Sequence, residues 1–126
     1  MQLTAPRLFG VTIHAAEVEA TAGFYREVVG LSLEGERHGD GPLHYHAGWG
    51  FPDAGLMFSL FPGAPGDPQY LSFVVDDVGA VHRRAIERGA TIETPPGKND
   101  PGSPPGCLDF VVRDPAGNLV TVYQLA

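Results

Sequence analysis

The spacing of apolar and polar positions changes period several times along the chain, and each change marks an element. Leu8 to His14 (LFGVTIH) predicts a short strand, with Val11 and Ile13 on one face and Gly10, Thr12 and His14 on the other. From Glu17 to Val29 the period lengthens: Val18, Ala22, Tyr25 and Val28 fall at helical spacing, and Gly30 supplies a stop. Leu31 to Glu36 and Leu43 to Ala47 are predicted strands joined by the turn Gly39-Asp40-Gly41-Pro42, and Gly55 to Phe61 is the next strand. Pro62 to Pro68 is too dense in Pro and Gly to hold a regular element.

The second half runs through the same series. Tyr70 to Val75 predicts a strand, and Asp77 caps a helix to about Arg88 whose buried stripe is Val78, Val81, Ala85 and Ile86. Ala90 to Glu93 predicts a short strand, Pro95 to Gly106 a loop, and Leu108 to Val112 a further strand. The turn Asp114-Pro115-Ala116-Gly117-Asn118 then leads into the strand Leu119 to Tyr123. Each half reads βαβββ. The expected division is one domain with a first module over about 8–61, a linker at 62–69 and a second module over about 70–126. Setting Gly10 to Glu17 against Tyr70 to Asp77, and Leu56 to Leu60 against Leu119 to Tyr123, brings the two halves into register.

Composition excludes some partners. A net charge of -7 and a pI near 5.0 argue against nucleic acid or an anionic membrane surface. The single Cys107 cannot form an internal disulfide and fits a reducing compartment. No run approaches the ~20 apolar residues of a spanning helix, so a cytoplasmic protein is expected.

The segments FGVTIHAAEVEATAGFYREVVGLSL, YLSFVVDDVGAVHRRAIERGATI and DPAGNLVTVYQ together resemble the glyoxalase, bleomycin-resistance and extradiol-dioxygenase superfamily, the vicinal oxygen chelate fold. The most specific parts are Phe24-Tyr25 followed by Val29-Gly30-Leu31, and Asp114-Pro115-x-Gly117-Asn118. The resemblance spans Leu8 to Gln124 and implies an α+β fold. Two βαβββ modules would form a cup-shaped mixed β-sheet with helices outside, within a homodimer. In the metal-dependent members His, Gln or Glu ligands come from the first and last strand of each module. Carried over, those positions are Gly10, Phe58, Tyr70 and Thr121, and none is a usual ligand for such a site. A slip of one residue offers Phe9, Val11, Val120 or Val122, which are no better.

No metal, cofactor or catalytic residue is therefore expected. The resemblance implies metal-independent binding and sequestration of a bulky aromatic natural product or antibiotic, as in the metal-free bleomycin-resistance-like members. The alternative is a glyoxalase-like lyase, isomerase or dioxygenase-type enzyme whose metal site is absent or shifted onto His14, His44 and His46. Expected ligand contacts on the inward parity are Thr12, His14, Phe58, Tyr70, Ser72, Thr121 and Tyr123. His44 and His46, two apart on one strand, face the same way. They are read as polar contacts at the rim rather than a metal pair, because sequence places no third or fourth ligand beside them. Trp49, flanked by Gly48 and Gly50, is the remaining contact, an aromatic displayed on flexible backbone. His82 is read as surface, the loop Pro95 to Gly106 as a surface connection or lid, and Cys107 as no nucleophile, lacking a cationic neighbour in sequence.

Overall fold

A computed structural model describes residues 6, 8–48 and 56–126. The expectation for Trp49 lies outside these residues. The first half forms β1 (Gly10–Ala15), α1 (Val18–Phe24) with a π-helical turn at Tyr25–Val29, β2 (Glu34–Glu36), β3 (His44–Ala47) and β4 (Met57–Pro62). The second forms β5 (Tyr70–Val74), α2 (Val78–Glu87), β6 (Ile92–Gly97), β7 (Leu108–Arg113) and β8 (Leu119–Gln124). These build two four-stranded mixed sheets, ordered β1-β4-β3-β2 and β5-β8-β7-β6. Both β1·β4 and β5·β8 are parallel and the other pairings antiparallel, as a strand-helix crossover followed by a meander requires. The fold is α+β, as expected.

Local chemistry explains the helices. Asp77 caps α2 by accepting from the Ala80 N–H at 3.1 Å, and the Val78 N–H donates to the Gln124 side chain at 2.8 Å. The first helix widens at Tyr25, whose carbonyl accepts from the N–H of Gly30 at 3.0 Å and of Leu31 at 2.9 Å. Gly30 ends it at φ 95°, a left-handed conformation that a Cβ disfavours.

The strands correct two expectations. Gly10 pairs with Met57 and Tyr70 with Leu119, so Met57–Pro62 corresponds to Leu119–Gln124 and Ser59, not Phe58, answers to Thr121. The expected alignment of the closing strands was one residue out, and such a slip turns every side chain to the other face. Phe58 thus lies on the helix-bearing face, 4.9 Å from the Tyr25 ring, rather than among Thr12, His14 and Ser59. Strand β6 also continues through Pro95 and Pro96 to Gly97, into the stretch expected to be loop. It is the outermost strand of its sheet with an irregular register against β7, a setting where a missing N–H costs little.

The two sheets share one core on their helix-bearing faces. Tyr25, fully buried, sits at its centre against Phe24, Phe58 and Phe73 at 5.1, 4.9 and 5.9 Å between ring centres. Polar ties reinforce the junction: Arg84 Nε donates to the Val28 carbonyl at 3.1 Å, Arg88 pairs with Glu27, and the Tyr25 hydroxyl donates to Asp114 at 2.5 Å. Because the helices and core occupy this side, the other face of each sheet is turned away from the junction.

Candidate functional site

Two open faces and one cleft between the sheets carry the candidate chemistry. On the first sheet the strand register sets Gly10, Thr12 and His14 of β1 beside Met57, Ser59 and Phe61 of β4, and His46 of β3 opposite Ser59. Thr12 and His14 are exposed. Phe61 anchors this face: its ring stacks on His44 at 4.2 Å with 6° between planes and lies 6.4 Å from His14 and 6.3 Å from His46. On the second sheet, Tyr70, Ser72 and Val74 of β5 stand beside Leu119, Thr121 and Tyr123 of β8. Tyr70 is 81% exposed and Val74 64%, an unusual exposure for an aromatic and a branched aliphatic side chain on a strand.

The sequence-expected contacts therefore fall into two groups. Thr12, His14, His44 and His46 share one face, and Tyr70, Ser72, Thr121 and Tyr123 share the other. Phe58 belongs to neither, although it reaches a cleft of about 470 Å³ bounded by Val11, Leu31 and Phe58 on one side and the whole of β5 on the other. Tyr70 and Ser72 also line this cleft, whose size is in the range of small-molecule sites. Sequence reasoning missed Ser59 and Phe61. Aligning the two closing strands from their ends, with Pro62 set against Gln124, places both on the open face.

At the edge of the first open face, β2 and β3 bring further groups to His44 and His46. Glu36 lies opposite His44 in the strand pairing, with its carboxylate oxygens 3.3 Å from His38 Nε2 and 3.3 Å from His46 Nε2. His46 Nδ1 is 2.8 Å from the Ser59 hydroxyl. Its pKa is pushed below the ordinary histidine value, first by burial and then by the neighbouring His44, against the opposing pull of Glu36. Beside the second open face, the loop after β6 is tied down by Asn99, whose backbone N–H donates to Asp109 Oδ1 at 3.0 Å and whose side chain donates to the Asp109 carbonyl at 2.8 Å. The Tyr123 hydroxyl donates to Asp100 of this loop at 3.4 Å. Cys107 is buried at its end.

Comparison with known proteins bears on this arrangement. The model of the glyoxalase-like domain family matches residues 10–123, from the first strand to the last. The chain belongs to the glyoxalase-like domain family. Solved structures show the same vicinal oxygen chelate fold. TnmS3, an antibiotic binding protein from a Streptomyces species, aligns with a TM-score of 0.67 and 22% identity, covering 99% of this chain and 100% of that one. A lactoylglutathione lyase from Agrobacterium tumefaciens gives 0.64 and 22%, covering 97% and 96%. A glyoxalase I mutant from Zea mays gives 0.74 and 19%, covering 95% of this chain and 45% of the other. No curated protein matches the chain.

The metal implied by the metal-dependent members finds no fitting donor set in this glyoxalase-like domain. Ligands there come from the first and last strands of the modules, which here are β1, β4, β5 and β8. Among their open-face positions only His14 carries an imidazole, and none carries a carboxylate. One nitrogen does not hold a divalent ion that asks for three or four donors. No helix among the described residues is long and apolar enough to cross a membrane.

Proposed function

We propose that this protein binds a bulky, largely aromatic natural product or antibiotic and holds it without chemical change, as a resistance or self-protection device. The observation that carries the proposal is the makeup of the open faces. Where metal-dependent relatives place ligands, this chain has Gly10, the buried Ser59, Tyr70 and Thr121, with Thr12, His14, Phe61, Ser72 and Tyr123 beside them. Aromatic faces stack on planar ligands and the hydroxyls fix orientation, while His14 is the one usual metal ligand among them. The likeness to an antibiotic binding protein over nearly the whole of both chains supports the same reading.

Each open face is half of a site. The helix-bearing sides share one core, so the exposed Tyr70 and Val74 await a covering surface, and the sheet of a second copy supplies a matching one. The functional unit in this reading is a homodimer with the ligand held between the first sheet of one chain and the second sheet of the other, free in the cytoplasm.

Native mass spectrometry with a panel of polycyclic aromatic antibiotics tests the proposal. The expected result is a dimer taking up one compound per site, released with unchanged mass and bound at least about tenfold more weakly after Tyr70→Ala. A released compound of altered mass, or affinity untouched by both Tyr70→Ala and Phe61→Ala, would overturn it.

A further inference from the structure

We propose that Glu36, His38, His44 and His46 form a binding site for one divalent transition-metal ion, best matched by zinc. The site lies on β2 and β3, at the β2 edge of the first sheet, rather than on the first and last strands of the modules, and it stands independently of the ligand-binding reading. Hairpin register creates it: Glu36 lies directly opposite His44, and His46 follows two positions on along the same face. His38 joins from the turn. One donor atom from each of the four side chains lies within 4.8 Å of all the others. The Glu36 to His38 and Glu36 to His46 separations are both 3.3 Å. Zinc bonds of about 2.0–2.1 Å in a tetrahedron space neighbouring donors about 3.3–3.4 Å apart, so whichever Glu36 oxygen ligates, Oε1 beside His38 or Oε2 beside His46, one edge is already at the required length.

The observation that points to a ligand is His44. Its side chain is 2% exposed, and Nε2 is the one buried side-chain nitrogen or oxygen among the described residues without a hydrogen-bond partner. Its other nitrogen, Nδ1, is 3.0 Å from the Pro42 carbonyl. A carbonyl only accepts, so Nδ1 carries the proton and Nε2 presents a lone pair. An imidazole held by a carbonyl through one nitrogen, with the other bare, is the arrangement in which histidine ligates metals. The ring is fixed further by stacking on Phe61 and by its edge-on contact with His46 at 4.7 Å. A buried nitrogen left unpaired is costly in a native structure, and an ion would satisfy it.

Three imidazoles and one carboxylate select borderline ions over magnesium or calcium, which prefer all-oxygen shells. Four protein donors also close the coordination sphere, which makes this a structural site rather than a catalytic one. An ion there staples the three-residue strand β2 and its turn to β3. Through His44 it also fixes Phe61, and with it the edge of the open face.

The test uses tag-free protein stripped with chelator, titrated with zinc chloride by calorimetry and checked by elemental analysis. One zinc per chain with micromolar or tighter affinity is expected, together with a raised melting temperature and no uptake of magnesium. His38→Ala and Glu36→Gln, both at exposed side chains, should each weaken zinc by about tenfold or more while leaving metal-free melting unchanged. His44→Gln should weaken it further; if that variant fails to fold, the other two decide. His82→Ala, on α2, should leave zinc binding as it was. Substoichiometric zinc, or stoichiometric zinc unaffected by His38→Ala and Glu36→Gln, would overturn the site.

Discussion

Replacing Tyr25 by Phe removes one oxygen from the centre of the junction between the two halves, and its effect on stability should depend on pH in a way that identifies the atom responsible. The Tyr25 hydroxyl donates to Asp114 Oδ2 at 2.5 Å across 89 residues of chain. Asp114, 4% exposed, also accepts from the backbone N–H of Ala116 at 2.8 Å and of Asn118 at 2.9 Å, and from the Asn118 amide at 2.8 Å. Asn118 in turn accepts the Gln69 N–H at 2.8 Å, at the entry to β5. In Tyr25→Phe the carboxylate keeps its other donors and no ring volume is lost. The cost is then that of one hydrogen bond to a charged group, about 1.5–3 kcal/mol near neutral pH.

Alkaline pH should erase most of that difference. Burial, and next the Asp114 charge, push the Tyr25 pKa far above its ordinary value of 10.0, so the folded protein keeps the phenol protonated. Above pH 10 the unfolded chain loses this proton and the folded one does not. The stability due to Tyr25 is therefore complete below pH 10 and declines as pH rises further, reaching a loss of about 1.4 kcal/mol by pH 11. Tyr25→Phe has no such group, while the remaining tyrosines titrate in both proteins and cancel. Urea unfolding of the two at pH 8 and pH 11 should show a gap of about 2 kcal/mol shrinking to well under 1 kcal/mol. A gap that stays constant across this range would refute the claim that Tyr25 is the group held neutral, and a gap below about 0.5 kcal/mol at pH 8 would refute its role in joining the halves.

Three further outcomes follow from the same geometry. Asp114→Ala strips every partner at once and leaves the Tyr25 hydroxyl buried and unpaired, so urea unfolding should show a loss of about 3–5 kcal/mol, beyond that of Tyr25→Phe. Phe58→Ala and Phe61→Ala should separate the two faces of β4: the first loses about 3–5 kcal/mol of stability as a core truncation, whereas the second, half-buried, loses much less and instead weakens ligand binding in calorimetry. Gly30→Ala places a Cβ at φ 95° and should lower stability by about 1–2 kcal/mol in the same unfolding assay.

Much of the fold was legible because its signals are local. The Asp77 cap of α2, the stop at Gly30, and the stripe Val78, Val81 and Ala85 each lie within a few residues, although Ile86, expected in the same stripe, is 56% exposed. The Asp114 turn was legible as a turn, but the reason for Asp and Asn was not, since the partner is Tyr25, 89 positions away. The frame of β4 was illegible for a different reason. Met57, Phe58, Leu60 and Phe61 are all apolar, and the one polar member, Ser59, is itself buried. A strand with one polar residue in its first five shows no alternation, so only the pairing partner, β1, sets which side is which.

That single-residue ambiguity governs the functional reading. With Phe58 on the open face, β4 would set only apolar side chains beside Thr12; in the observed frame it sets Ser59 beside Thr12 and Phe61 beside His14, and Phe58 becomes part of the core that holds Tyr25. The histidines change meaning in the same way. Read along the chain, His44 and His46 are a pair without company, because Glu36 and His38 lie on the far side of a turn. Folding that hairpin by register sets Glu36 against His44 and completes a four-donor cluster at the edge of the sheet. The first and last strands of the modules thus carry no donor set of the kind the metal-dependent members use, while β2 and β3, with the turn between them, bring four donors together at one edge of the first sheet. Under the two proposals together, a closed site at the sheet edge stiffens the face proposed to receive a ligand without touching the ligand's bonds.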